Sequence, residues 1–391
     1  MNGNVSDALV QEIMLDFARI TGLEPVSVHP KRYLWTDAFA VCNYLDLFRR
    51  TKDVAYRDLA LRLVDQVHHI LGRHRDDDPR IGWISGLDEQ MGEKHPTIRG
   101  LRIGKQLNER KREEPFNERL EWDQDGQYYH YLTKWMHALN RVSRVTGDPI
   151  YIKSAIELAQ AAHSRFTYSP IAGGRRRMYW KMSIDLTYPL VPSMGQHDPL
   201  DGFVTYNELQ ATATKCFKES SLLSLKNEIA DMVEICRGMG LATDDPLGIG
   251  GLLSDSSRIA QLMMQCSSNY ESLLDAVMNS ALLGMEAFTR SGSLEYPAEY
   301  RLAFRELGLS IGLSAVEKLQ KWIRENPSLI QREGHLHRRV EDLMGYVPLR
   351  ETIEQFWIDD RNREASTWTE HREINMVMLA TSIAPDEFLM I

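Results

Sequence analysis

The chain has 391 residues, 43% of them hydrophobic, with 46 Lys and Arg against 55 Asp and Glu for a net charge of −9. That is ample apolar material for a large core, and the acidic balance, without a basic stripe interleaved with aromatics, argues against a nucleic-acid groove. No run approaches the roughly 18 apolar residues needed to span a bilayer, and Met1 to Ser6 lack the charged-then-apolar pattern of a secretory leader. Cys42, Cys216, Cys236 and Cys266 are scattered without paired spacing. They read as reduced thiols of a cytoplasmic protein, with neither disulfides nor a zinc cluster.

In chain order the apolar periodicity reads as about twelve amphipathic helices in which tight turns and long joins largely alternate. A first helix over Asp7 to Ile20 is followed by one over Asp37 to Arg50, entered at Trp35. Thr51-Lys52-Asp53-Val54-Ala55-Tyr56, followed by Ala60 and Leu63, then recurs as Thr146-Gly147-Asp148-Pro149-Ile150-Tyr151, followed by Ala155 and Leu158. In each copy the aspartate suits a helix N-cap, and the Tyr, Ala and Leu fall on one buried stripe. Pro149 suits the first helical position. A helix over Gln127 to Val145 precedes the second copy, so the repeated unit is helix, tight turn, helix.

Later helices are read over Phe203 to Phe217, Leu222 to Arg237, Ile249 to Cys266, Tyr270 to Arg290 and Tyr300 to Ile323. A polar stretch, Asn326 to His335, leads to a helical region ending near Trp357. A last helix over His371 to Ile383 is predicted to pair with the first. Strand signals are sparse, with at most a short hairpin arm over Met178 to Leu186. The pattern predicts an all-α fold, an (α/α)6 toroid of six helical hairpins forming a single domain over residues 1–391. Its long loops fall at 73–120 and 167–201.

Those joins hold most of the acids, histidines and tryptophans, and function on a rigid scaffold concentrates in such loops. Glu121-Trp122-Asp123-Gln124-Asp125-Gly126-Gln127-Tyr128-Tyr129-His130 puts three carboxylates beside three aromatic rings at a helix start. Aromatic faces stack on pyranose rings while carboxylates bond hydroxyls or move protons. Gln196-His197-Asp198-Pro199-Leu200-Asp201 offers an imidazole and two carboxylates at the next inner helix, and Asp201 alone would serve as an N-cap. Asp37 lies in a first helical turn, and Tyr179-Trp180-Lys181 adds aromatic surface. Glu299 and Arg301, and further on Trp368, Glu370, His371 and Arg372, precede the last inner helices. Gly248-Ile249-Gly250-Gly251 lacks the strand and lysine of a phosphate loop, and no zinc helix or nucleophile elbow occurs.

Trp35-Thr36-Asp37-Ala38-Phe39-Ala40 and the two Thr-x-Asp-x-x-Tyr turns resemble the (α/α)6 barrels of six-hairpin glycosidases and N-acylglucosamine 2-epimerases. The resemblance covers the first half of the chain at motif level and the rest by helix rhythm. It implies parallel inner helices whose entering loops form the mouth of an active site. It also implies, for an epimerase, a histidine near the last helix, which Trp368-Thr369-Glu370-His371-Arg372 matches. A second histidine beside a Glu-Trp pair is implied too, and Asp244 to Gly251 lacks both.

The leading expectation is a glycoside hydrolase on a short oligosaccharide, working with two carboxylates. Asp125 and Asp198 come first, then Asp37, Glu121 and Glu370, with His197 and His371 orienting. Trp35, Trp122, Tyr129, Trp180 and Trp368 would be stacking walls, with His130 and Arg372 on the substrate. The alternatives are a sugar epimerase or isomerase, in which His371 and His130 or His197 exchange protons beside a carbonyl, and a non-catalytic sugar-binding scaffold. No cofactor or metal is expected, and no nucleic-acid or membrane partner.

Overall fold

A computed structural model describes residues 3–171, 173–217, 223–266, 270–326 and 335–391. Most of the polar stretch read between Asn326 and His335 lies outside the described residues. The fold is all-α, with helices over most of its length. Contacts divide the chain into two compact units, one of residues 18–48 and 52–239, the other of residues 1–17, 49–51 and 240–391.

The chain opens with α1 (Gly3–Ile20), most of which belongs to the second unit. The first unit holds α2 (Leu34–Thr51, save its last three residues), α3 (Val54–Leu71), the short α4 (Glu89–Lys94) and α5 (Glu118–Asp123). It continues with α6 (Tyr129–Thr146), α7 (Pro149–Phe166), α8 (Asp198–Cys216) and α9 (Lys226–Cys236). Every residue of α2 from Leu34 to Leu47 is buried, and α6 and α8 are buried along most of their length. A helix covered all round belongs to the interior. α3 and α7 keep one wet face, and α7 packs on both α6 and α8.

The repeated turns form as their chemistry requires. Lys52 (φ 62°) and Gly147 (φ 74°) end α2 and α6 in the left-handed region. The Asp53 and Asp148 side chains then accept from the backbone N–H groups of Ala55 (3.0 Å) and Ile150 (2.9 Å). Ala60, Leu63, Ala155 and Leu158 are fully buried behind them.

Among the described residues, five short strands decorate this unit: β1 (Gln127–Tyr128), β2 (Thr167–Tyr168), β3 (Arg177–Met178), β4 (Lys181–Met182) and β5 (Pro189–Val191). β4 lies between β1 and β5, antiparallel to both, and β2 pairs with β3. Thus the 167–201 join folds back onto the start of α6. The 73–120 join is anchored by Arg102, which donates to the carbonyls of Arg73 (3.0 Å) and Ile70 (3.0 Å) and pairs with Asp125.

The second unit contains α10 (Pro246–Cys266), α11 (Glu271–Arg290), α12 (Ala303–Glu325), α13 (His335–Met344), α14 (Leu349–Ile358) and the short α15 (Asp360–Arg363) and α16 (Ser366–Thr369). It ends with α17 (Arg372–Ile383) and α18 (Asp386–Leu389). α10 packs on α11 and α12, and α12 on α13, α14 and α17. A Cβ on Gly250 would stand 2.0 Å from the Gly308 carbonyl oxygen, so Gly250 lets two backbones meet. Arg372 at the start of α17 pairs with Asp16 of α1 at 2.8 Å.

Among the described residues no helix is long and apolar enough to cross a membrane.

Candidate active site

α8 starts at Asp198, five residues before the apolar pattern suggests, because Pro199 fits a first helical turn. Asp198 and Asp201 therefore lie one turn apart, facing α6. His130 Nδ1 stands 3.7 Å from Asp198 Oδ1. One turn lower Lys134 Nζ donates to Asp201 at 2.7 Å, and the Thr133 hydroxyl donates to the same carboxylate. Further down, His137 Nδ1 meets Glu208 at 2.6 Å, and Arg144 Nε donates to the Thr212 hydroxyl at 2.8 Å. The seam between α6 and α8 is a ladder, with bases on one helix and acids or hydroxyls on the other.

Aromatic rings gather around the top rung. The Trp180 ring lies parallel to the His130 ring at 6.1 Å, while Trp35 (5.9 Å) and Tyr131 (4.9 Å) meet it edge-on. Tyr128 packs against His130 and Trp180, and the half-exposed Trp122 meets Trp180 edge-on at 5.4 Å. Tyr33 extends the wall, its hydroxyl 2.8 Å from that of Tyr131. Within this setting three buried polar atoms have no hydrogen-bond partner: Trp35 Nε1, His130 Nδ1 and Asp198 Oδ2. Each of the three keeps hydrogen-bonding capacity that a polar ligand would use.

Electrostatics sharpen the pair. Burial, with a smaller push from Asp201 and against the pull of Lys134, raises the Asp198 carboxyl from 3.8 to about 8. Burial lowers the His130 imidazole from 6.5 to about 4, against the opposing influence of Asp201. Near neutral pH the acid is protonated and the base is neutral, the states needed to give one proton and take another.

The other expected site residues divide. Asp125 is fully buried, but its oxygens accept from the backbone N–H groups of Gly104 (3.0 Å) and Gly126 (3.0 Å) and from Arg102 (3.0 Å) and Arg75 (3.5 Å). Its oxygens are engaged by the loop, which departs from the expectation of Asp125 as one of two catalytic carboxylates. Glu121 likewise pairs with Lys181 (2.9 Å) and Arg110 (2.9 Å). Asp37 accepts from the Tyr33 N–H (2.9 Å) beside Arg32 and so organises the start of α2; burial raises its pKa to about 6. Tyr129 points away from the ring cluster, donating its hydroxyl to Tyr206 at 2.9 Å in the fully buried interior. Its neighbours Tyr128 and Tyr131 supply the wall instead.

His197 is the residue preceding α8. Trp368, Glu370, His371 and Arg372 belong to the other unit. There Trp368 is buried against Trp357 at 5.7 Å, Glu370 and His371 are exposed, and Arg372 is held by Asp16. Arg301 is buried in a pair with Glu306 (2.7 Å), which also accepts from Trp357 Nε1 at 2.8 Å. Glu299 is exposed beside it.

Sequence reading missed Tyr33, Tyr131, Lys134 and the role of Asp201. A signal existed: His130, Lys134, His137 and Arg144 repeat at the spacing of one helix face, as do Asp198, Asp201, Glu208 and Thr212. Among the described residues no cluster of three or more His, Cys, Asp or Glu is arranged to hold a metal ion.

No protein-family model matches the chain, and no curated protein matches it. Among solved structures it is similar to the cellobiose 2-epimerase of Bacillus thermoamylovorans B4167, at 10% identity and a TM-score of 0.43 over 81% of this chain and 76% of that one. It is also similar to the cellobiose 2-epimerase of Spirochaeta thermophila DSM 6192, at 13% identity and 0.44 over 87% and 98% of the two chains. A sugar epimerase from a ruminal bacterium matches at 10% identity and 0.42 over 81% and 88%.

Proposed function

We propose that the aromatic site binds a reducing sugar and that His130 and Asp198 move protons at a carbon next to its carbonyl, as a sugar isomerase or epimerase does. The observation that carries this reading is the row of unpartnered buried atoms, Trp35 Nε1, His130 Nδ1 and Asp198 Oδ2, enclosed by rings suited to a pyranose face. In the forward step the neutral imidazole of His130 takes the proton from the α-carbon while the Asp198 carboxyl gives its proton to the carbonyl oxygen. An enediol results. The His130 imidazolium then gives its proton to the neighbouring carbon, or to the same carbon once the enediol has turned its other face, while the Asp198 carboxylate takes back a proton from the enediol hydroxyl that becomes the carbonyl; isomerisation or epimerisation is complete without any further reactant.

The hydrolytic reading needs a second free carboxylate across the sugar. The acid first expected there, Asp125, has its oxygens engaged by two arginines and two backbone N–H groups. Proton transfer by an imidazole and a carboxyl fits the groups that remain available.

The test is deuterium wash-in at the α-carbon of a panel of aldoses and ketoses in D2O, followed by NMR. Exchange with at least one sugar, abolished in both His130→Gln and Asp198→Asn with helicity intact, is the expected result. Exchange that survives both substitutions, or none with any sugar, overturns the proposal.

A further inference from the structure

Lys105 lies in the 73–120 join, its backbone fixed on both sides: Gly104 N–H donates to Asp125, and the Lys105 carbonyl accepts from Arg75. A Cβ on Gly104 (φ 94°) would stand 2.3 Å from the Arg32 carbonyl oxygen, so the loop runs hard against the start of α2. This places Lys105 Nζ 5.4 Å from the centre of the Tyr33 ring. Tyr33 touches Tyr131 (centroids 5.6 Å apart), and Tyr131 touches His130. The ammonium therefore sits on the same aromatic wall as the proton-transfer pair, two rings away.

Unlike Lys134 and Lys181, Lys105 has no carboxylate within ion-pair distance among the described residues. Asp123 and Asp125 act on it only through space, opposed by Lys181, and Asp125 is already paired with Arg102. In a chain of net charge −9, a half-buried cation held over a ring without a counterion is an open position for a negative group.

We infer that the site takes an anionic sugar, one carrying a carboxylate or a phosphate, with Lys105 pairing the anion while His130 and Asp198 face the carbonyl end. The inference rests on reading the ring cluster as a sugar site. Burial lowers the Lys105 pKa, the mark of a charge that lacks its partner.

The test compares glucose, glucuronate and glucose 6-phosphate by titration calorimetry at low and high salt. At least one anion is expected to bind about tenfold or more tighter than glucose, the order of a charge-assisted hydrogen bond. The advantage should shrink in high salt, vanish in Lys105→Met and persist in Lys105→Arg. The glucuronate and phosphate arms tell which anion is meant. Equal binding of glucose, an advantage that survives Lys105→Met, or no binding of any probe overturns the inference. An anion preference without deuterium exchange would leave it standing and remove the proton-transfer reading, whereas exchange on neutral sugars with no preference would do the reverse.

Discussion

Replacing Asp198 by Asn asks whether this carboxyl is kept for chemistry at the expense of stability. Burial raises its pKa from 3.8 to about 8. An acid whose folded pKa exceeds its unfolded one binds more protons when folded. Its contribution is therefore complete below about pH 4 and is lost as pH climbs toward about 8. The loss runs at about 1.4 kcal/mol per pH unit, and an amide, which does not ionise, escapes it. From about pH 5 to about pH 7.5 the variant should therefore gain on the parent by about 3 kcal/mol. For a unit of about 200 residues that corresponds to roughly 6–12 °C in melting temperature. Lys134, Asp201 and His130 face the carboxyl and are present in both proteins, so their own titrations largely cancel in the difference. Calorimetric scans of both proteins at a series of pH values measure the gap. A gap flat in pH, or an Asn variant less stable throughout, would refute the reasoning and make Asp198 a structural anchor.

Two further substitutions probe the surroundings. A Cβ on Gly195 would stand 2.4 Å from Asp198 Oδ2, so Gly195→Ala should displace the carboxyl and slow deuterium exchange about a hundredfold while the fold persists; parental exchange would show that the carboxyl's position does not matter. Lys181 is fully buried and donates to the Glu121 carbonyl (2.8 Å), the Glu121 carboxylate (2.9 Å) and the Gln124 carbonyl (2.8 Å). Lys181→Met strands those acceptors and should cost about 3–5 kcal/mol in urea unfolding. A loss below about 1 kcal/mol would mean that water or Arg110 takes over.

The helical frame was legible because its signals are local. Asp53 and Asp148 cap, Pro149 opens and Gly147 closes, and apolar residues recur at one-face spacing. The start of α8 was misplaced because His197-Asp198-Pro199 reads as loop, although proline is at home in a first turn. The site was harder to see, since its facts are pairings between distant segments. Nothing in Gln124-Asp125-Gly126 announces that Arg75 and Arg102, set in a join without periodicity, will occupy that aspartate. Which of Tyr128, Tyr129 and Tyr131 faces the rings depends on the phase of α6, fixed by a start one or two residues wide. The acids and aromatics of the two joins were therefore identified as a group, while their division into scaffold and reactive members required coordinates.

The rungs between α6 and α8 also act as a vernier. If α8 slid by a single turn, Lys134 would face Thr205 or Asp198 in place of Asp201, and Glu208 would leave His137, stranding charge where water is excluded. Slippage is thus penalised at every step along the seam. The spacing between imidazole and carboxyl at its upper end is set by bonds three turns below.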